Sequence, residues 1–120
     1  MKKLTVSYKK YDIVVVPFPF TDQQSTKRRP ALVLSDSYHF NAQIAHSVLA
    51  MVTSSGNSPW PLDIEISDLD AAGLTSPSII RMKLFTLDHQ LILRHIGSLA
   101  EVDRLNISLT LATLFGSQKS

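Results

Sequence analysis

The sequence predicts a mainly β fold, a small barrel of five or six short strands followed by one C-terminal helix. Short apolar and β-branched runs alternate with polar turn segments from residue 11 to residue 99, a pattern typical of strands. No helical period separates these runs, which disfavours a parallel βαβ architecture. Closure of the sheet into a barrel would also remove exposed strand edges.

Length and composition indicate one globular domain. The chain has 120 residues, of which 44% are hydrophobic and 18% charged, so it is too apolar and too weakly charged for a disordered chain. It contains no Cys, which excludes disulfides, thiolate zinc sites and cysteine nucleophiles and is consistent with a cytoplasmic location.

The first two strands are predicted to pair antiparallel. Residues 11–16 are mostly apolar and β-branched, and Pro17 and Pro19 then remove backbone donors, so the strand ends there or continues along an edge. Residues 21–27 are polar and predict a loop, and residues 30–34 predict the second strand.

Further strands follow in the middle of the chain. Residues 35–41 predict turns with one helical turn, residues 44–53 a strand and residues 54–61 a polar loop. Residues 62–67 alternate apolar and polar side chains, which is the period of a strand with one face in solvent. Residues 78–87 are again strand-like.

The chain ends with one more short strand, residues 94–99, and a helix. Ser98 followed three residues later by Glu101 is a capping-box signature, and Gly116 suits the C-terminal cap. Between them the apolar residues recur with a helical period: Val102, Leu105, Leu109, Ala112 and Phe115.

Charge is concentrated rather than uniform. Residues 1–10 contain four Lys and no acid, so removing those four charges from the total of +2 leaves −2 for residues 11–120. This basic N-terminal extension is too polar for a signal-peptide core, and no apolar run reaches the roughly 20 residues that span a bilayer. A second basic cluster is Lys27, Arg28 and Arg29. We therefore expect no membrane association.

Seven short motifs occur in a fixed order along the chain. They are Asp12-Ile13-Val14, Pro17-Phe18-Pro19-Phe20-Thr21, Arg28-Arg29-Pro30-Ala31-Leu32-Val33-Leu34, Val52-Thr53-Ser54, Ser78-Ile79-Ile80-Arg81, Leu87-Asp88 and Ile96-Gly97-Ser98-Leu99. Each motif is weak alone, but the combination covers nearly all of residues 11–115, which makes it fairly specific. In this order the motifs resemble those of one known family, the MazF/PemK toxin endoribonucleases.

The resemblance implies a fold, an activity and partners. It implies an SH3-like barrel of the CcdB/MazF type, with residues 1–120 as a single toxin domain. It implies a homodimer that cleaves single-stranded RNA, such as mRNA, at specific sequences without a metal or other cofactor. It also implies inhibition by a cognate acidic antitoxin.

The resemblance assigns the catalytic roles to Arg29 and Thr53. A permanently charged, forked guanidinium at a loop-to-strand junction suits phosphate, although from composition alone Arg29 is more simply a surface Arg pairing with Asp22 or Asp36. A hydroxyl at a strand end suits a phosphate oxygen or the attacking 2′-OH, although strand Thr is also common as filler.

Other residues are predicted to contact RNA. Ser54 adjoins Thr53, Lys27 and Arg28 adjoin Arg29, and Trp60 is suited either to stacking on an unpaired base or to covering the barrel end. Arg81 lies in a family motif. Two positions depart from the family: Gln24, where relatives often have Glu, and Lys83, where one branch has Asp.

No further catalytic group is predicted. The four histidines, His39, His46, His89 and His95, lack metal-ligand spacing, and Asp63 and Glu65 are expected to lie on a solvated strand face. No residue stands out as a general base.

Two other functions remain open. A CcdB-like toxin that binds a protein target such as DNA gyrase would use the same barrel, and fold alone does not separate the two. The C-terminal residues 116–120 lack the apolar end that such poisons use. A relative that binds RNA or an antitoxin without turnover is the other alternative, because of Gln24 and Lys83.

Overall fold

The computed structural model describes residues 7–18 and 27–116, and it contains a single curled antiparallel sheet. Within the described residues the sheet has six strands in the order β4-β5-β3-β2-β1-β6. The strands are β1 Asp12–Pro17, β2 Arg28–Val33, β3 His46–Ser54, β4 Ile64–Glu65, β5 Ser78–Asp88 and β6 Arg94–Ser98. The predicted mainly β fold is confirmed, as a half-barrel whose ladder ends at β4 and β6.

Three helices complete the described fold: α1 Ala42–Ile44, α2 Leu69–Ala72 and α3 Glu101–Leu114. A π-helical turn, Ser37–Asn41, precedes α1, and a 3-10 turn, His89–Leu91, joins β5 to β6. The predicted antiparallel pairing of the first two strands is confirmed by the β1–β2 ladder. The strand predicted over residues 62–67 is reduced to β4, which pairs only with β5.

Hydrophobic side chains pack on both faces of the sheet. Because strand side chains alternate, Ile13 and Leu32 belong to one cluster, which Leu99 joins and which α3 covers through Ile107. Val14 and Val16 belong to the second cluster on the opposite face. Both clusters contain residues with no exposed surface, so the central strands are held rigidly from two sides.

Two glycines allow α2 to lie directly against β6. Gly73 ends α2 at φ +74°, and a Cβ there would lie 1.9 Å from the Ile96 carbonyl oxygen. A Cβ on Gly97 would lie 2.4 Å from the Ala72 carbonyl carbon. Only glycine fits such contacts, and the close packing fixes the segment that follows α2 beside the start of β2.

The start of α3 differs from the predicted capping box. The N-cap residue is Ala100, and no side chain caps the first turn. The Ser98 hydroxyl instead donates to Asp12 Oδ1 at 3.2 Å. The capping-box prediction was therefore wrong. Ser98 is the last residue of β6, and its hydroxyl bonds to the buried Asp12 carboxylate of β1 instead of capping α3. The C-terminal prediction holds, since Gly116 follows the helix at φ +68°.

The apolar stripe predicted on α3 faces solvent. Val102, Leu105, Leu109 and Phe115 are 51%, 59%, 61% and 69% exposed. The helix buries Asp103 and Ile107 instead. No helix among the described residues combines the length and the apolar character needed to cross a membrane.

Candidate functional site

The two predicted catalytic residues lie on neighbouring strands at one end of the sheet. The β2–β3 ladder pairs Ala31 with Met51, and the same antiparallel register continued by two residues sets Arg29 across from Thr53. Arg29 is near the start of β2 and Thr53 near the end of β3. Residues that are 24 positions apart in sequence therefore meet because of strand pairing.

Arg29 and Thr53 line the same cleft, which has a volume of about 210 Å³. The residues that line it include one Arg and several Ser and Thr, and no Asp or Glu is among the described lining residues. Such a donor-rich lining suits an anion. The other lining residues are Pro30, Val52, Ser54, Leu74, Thr75, Ser76 and Ser78.

The Arg29 guanidinium is held by an aromatic ring. Its central carbon lies 5.6 Å from the centre of the Phe18 ring, within the range of a cation–π contact. Arg29 Nε is buried, and none of the described residues accepts a hydrogen bond from it. No ion pair joins Arg29 to Asp36 in the described part of the chain; Asp36 binds His39 instead.

The Thr53 hydroxyl is oriented by a side chain that the sequence analysis did not single out. Thr53 is 4% exposed, and its Oγ1 accepts a hydrogen bond from Asn57 Nδ2 at 2.5 Å. A hydroxyl has one proton and two acceptor lone pairs. Because Asn57 occupies a lone pair, the Thr53 proton remains available to another acceptor.

The loop that contains Asn57 is fixed by Arg81, one of the predicted RNA-binding residues. Arg81 makes a two-point ion pair with Asp63, from Nε at 3.1 Å and from Nη2 at 2.9 Å. Arg81 Nη2 also donates to the Ser58 carbonyl at 2.6 Å. The hydrogen bonds that Arg81 donates to the Asp63 carboxylate raise the pKa of Arg81. Asp63 is thus a structural ion-pair partner, which corrects the expectation of a solvated strand face.

Trp60 lies over two cations at the same end of the molecule. Its ring centre is 5.6 Å from the Arg81 guanidinium carbon and 5.3 Å from Lys83 Nζ. Trp60 is 40% exposed, so it is partly accessible to solvent despite its contacts with the two cations. The loop that carries Asn57 and Trp60 thus connects Thr53 with the Arg81 and Lys83 group.

The remaining predicted contacts lie on either side of this cleft or outside the described residues. Lys27 and Arg28 are exposed just before Arg29, and Ser54 is an exposed lining residue. Gln24 lies outside the described residues.

The histidines do not form a metal centre among the described residues, where no cluster of three or more ligand-type side chains occurs. His89 contacts the Ser47 hydroxyl at 2.8 Å and packs edge-on against Tyr8. Burial lowers the pKa of His89, and the nearby His46 lowers it further. His89 therefore lies beside the second hydrophobic cluster, and it does not line the cleft that contains Thr53.

Comparison with known proteins adds a family match. Residues 9–115 match the family model described as PemK-like, MazF-like toxin of type II toxin-antitoxin system. No curated protein matches the chain.

Several solved structures share the fold. A mycobacterial endoribonuclease in complex with its cognate antitoxin is similar with a TM-score of 0.75 and 15% identity, over 95% of this chain and 100% of that chain. A MazE–MazF complex from Deinococcus radiodurans gives 0.72 and 20%, over 92% and 98%. The Mycobacterium tuberculosis toxin MazF-mt6 gives 0.69 and 18%, over 88% and 96%.

Proposed function

The chain belongs to the family of PemK-like, MazF-like toxins of type II toxin–antitoxin systems, and we propose that it is a toxin that cuts single-stranded RNA. The observation that supports this activity best is the meeting of Arg29, Thr53 and Ser54 at one cleft without a carboxylate in its described lining. A guanidinium beside hydroxyl donors suits the charge of a phosphodiester. Two of the structurally similar proteins are mycobacterial endoribonucleases, which agrees with the proposal.

The proposed reaction uses the 2′-OH of the RNA as the nucleophile. The 2′ oxygen forms a bond to the adjacent phosphorus while the bond from phosphorus to the 5′ oxygen breaks. The 2′-OH loses its proton to solvent or a base, and the leaving 5′ oxygen takes one up. The products are a 2′,3′-cyclic phosphate and a 5′-OH, and no step requires a metal ion.

Arg29 neutralises the negative charge that develops on the phosphorane, and it is placed to help protonate the leaving oxygen. Stabilisation of developing charge by preorganised donors is often the largest catalytic contribution. The Phe18 contact restricts the guanidinium before substrate binds, so less freedom is lost during the reaction. Thr53 donates to a phosphate oxygen or holds the 2′-OH, with Asn57 directing its proton.

The flanking residues bind the rest of the RNA. Lys27 and Arg28 contact neighbouring phosphates, Ser54 contacts the same oxygens as Thr53, and Trp60 stacks on an unpaired base beside Lys83. Arg81 contributes by holding the loop through Asp63. Gln24 orients a substrate oxygen, since an amide is not a useful proton acceptor near pH 7.

The proposed biological context is a cytoplasmic homodimer, formed by a single domain over residues 1–120 and inhibited by an acidic antitoxin. A disordered acidic segment competes with RNA for Lys27, Arg28 and Arg29, so inhibition weakens as salt is raised. Two of the structurally similar proteins were solved in complex with an antitoxin.

The experiment is incubation of the purified protein with a long unstructured RNA in EDTA, followed by mapping of cut sites and end groups. Discrete cuts with cyclic phosphate and 5′-OH ends are expected. Binding without cuts would identify a catalytically degenerate relative. If the protein neither binds nor cuts RNA but inhibits DNA gyrase, it is a CcdB-like poison.

A further inference from the structure

A second cleft lies beside the first one and is lined by three arginines. It has a volume of about 690 Å³, and we call it the arginine groove after Arg28, Arg29 and Arg94. It shares Arg29, Pro30, Leu74 and Thr75 with the cleft that contains Thr53. The two clefts are therefore continuous around Arg29.

Strand register brings Arg28 and Arg94 to the same side of the sheet. Val15 in β1 pairs with Pro30 in β2 and with Arg94 in β6. Side chains of directly paired residues lie on the same face, and the face repeats every second residue. Arg28, two residues before Pro30, consequently shares that face with Arg94, although the two arginines are 66 positions apart in the chain.

Both of these arginines are available to a ligand. Arg28 and Arg94 are exposed, and neither makes an ion pair with any residue in the described ranges. No Asp or Glu is among the described residues that line the arginine groove. Arg28 and Arg94 thus place two permanent positive charges on one face beside Arg29, although residues 11–120 as a whole carry a net charge of −2.

We propose that the arginine groove binds the RNA backbone next to the scissile phosphate, with Arg94 as a further phosphate contact. This inference rests on the proposed function, since it places the scissile phosphate at Arg29. A guanidinium binds phosphate oxygens through two parallel hydrogen bonds, and such contacts position a nucleic acid without reading its bases. Arg94 has no sequence signal for this role, because one Arg at a strand start belongs to no motif.

The test measures binding of a fluorescein-labelled, random-sequence 2′-O-methyl RNA by fluorescence anisotropy at several salt concentrations. This probe lacks the 2′-OH nucleophile and is not cut. Each phosphate contact to a single strand adds about 0.7 to the steepness of log affinity against log salt. Arg94→Gln is expected to reduce that slope by about 0.7 and to weaken binding several-fold. Arg94→Lys, which keeps the charge, is expected to restore the slope.

The matched control is Lys9→Gln, which removes one positive charge from a different cleft and is expected to keep the wild-type slope. An unchanged slope in Arg94→Gln, an equal loss in Lys9→Gln, or no restoration by Arg94→Lys would overturn the proposal. Arg94→Gln could also weaken binding of a polyglutamate peptide while RNA binding stays unchanged. That result would overturn the proposal and indicate an acidic protein ligand.

The same experiment separates this inference from the proposed activity. Arg94-dependent binding by a protein that never cuts ordinary RNA would contradict the cleavage proposal and leave the arginine groove supported. Cleavage of ordinary RNA together with an unchanged slope in Arg94→Gln would contradict the arginine groove alone.

Discussion

At the scale of single residues, the hydrogen bond from Asn57 to Thr53 leads to a prediction about turnover. Asn57→Ala removes the donor that occupies a lone pair of Thr53 Oγ1, so the hydroxyl proton is free to point away from the substrate. A neutral hydrogen bond contributes about 1 kcal/mol, which corresponds to a roughly 5-fold to 10-fold loss of single-turnover cleavage. The loss in Thr53→Ala should be larger.

Asn106→Ala provides the matched control, because Asn106 is an exposed residue on α3, outside the lining of the cleft. Its cleavage rate should equal that of wild type. A wild-type rate in Asn57→Ala would show that Thr53 needs no orienting partner.

The sequence predicted part of the cleft and missed part of it, for identifiable reasons. Arg29 and Thr53 belong to motifs, and their meeting follows from the pairing of β2 with β3. Asn57 and Arg94 contribute through contacts that depend on the loop path and on the β1–β6 register. Neither residue belongs to a local sequence pattern, so its role could not be predicted from the sequence.

At the scale of elements, Asp103 anchors α3 to the segment between β4 and α2. Its buried carboxylate accepts hydrogen bonds from the Ser67 backbone N–H at 2.9 Å and from the Asp68 N–H at 3.0 Å. Asp103→Ala leaves both donors without that partner, so the free energy of unfolding should fall by about 2–3 kcal/mol. Urea denaturation measures the change.

Asp103→Asn retains one acceptor oxygen and should lose less stability than Asp103→Ala. Glu101→Gln, in the exposed first turn of α3, is the control and should change stability little. Equal stability of Asp103→Ala and wild type would contradict the anchoring role.

The anchoring contact also explains why the predicted bounds of α3 agree with the structure although its buried face differs from the predicted one. A period of apolar residues ordinarily marks the buried side of a helix, which favoured Leu105 and Leu109. The buried side instead contains Asp103, whose partners lie 35 and 36 residues earlier. A carboxylate satisfied by distant backbone groups cannot be distinguished from a solvated one in sequence.

At the scale of the whole molecule, the exposed stripe on α3 supports the proposed homodimer. Contiguous exposed apolar surface of this kind often marks an interface, and an apolar cleft that includes Leu84, Leu111 and Phe115 adjoins it. The double variant Leu105→Asp/Leu109→Asp should sediment as a monomer at micromolar concentrations where wild type is a dimer. Asn106→Asp should remain dimeric. A monomeric wild type, or a dimeric double variant, would contradict this interface.

Stability of the whole fold should depend on pH through His89. Its folded-state pKa is lowered below the ordinary value of 6.5, mainly by burial. As the pH falls towards and below 6.5, the unfolded chain therefore binds more protons at this histidine than the folded protein does. The free energy of unfolding therefore decreases with acidification.

His89→Gln removes this contribution, so the stability advantage of wild type over the variant should shrink between about pH 7.5 and about pH 5.5. Urea denaturation at both pH values measures the difference. An advantage that stays constant or grows on acidification would show that His89 does not titrate as its burial requires.

The most direct test of the catalytic cleft is single-turnover cleavage of a mapped RNA site by wild type, Arg29→Ala and Thr53→Ala in EDTA. Removing one preorganised donor to a developing oxyanion costs about 100-fold to 1,000-fold in rate, and we expect losses of that order in both variants, with circular dichroism unchanged. Cleavage at the wild-type rate by either folded variant would contradict the assignment of the cut site to this cleft.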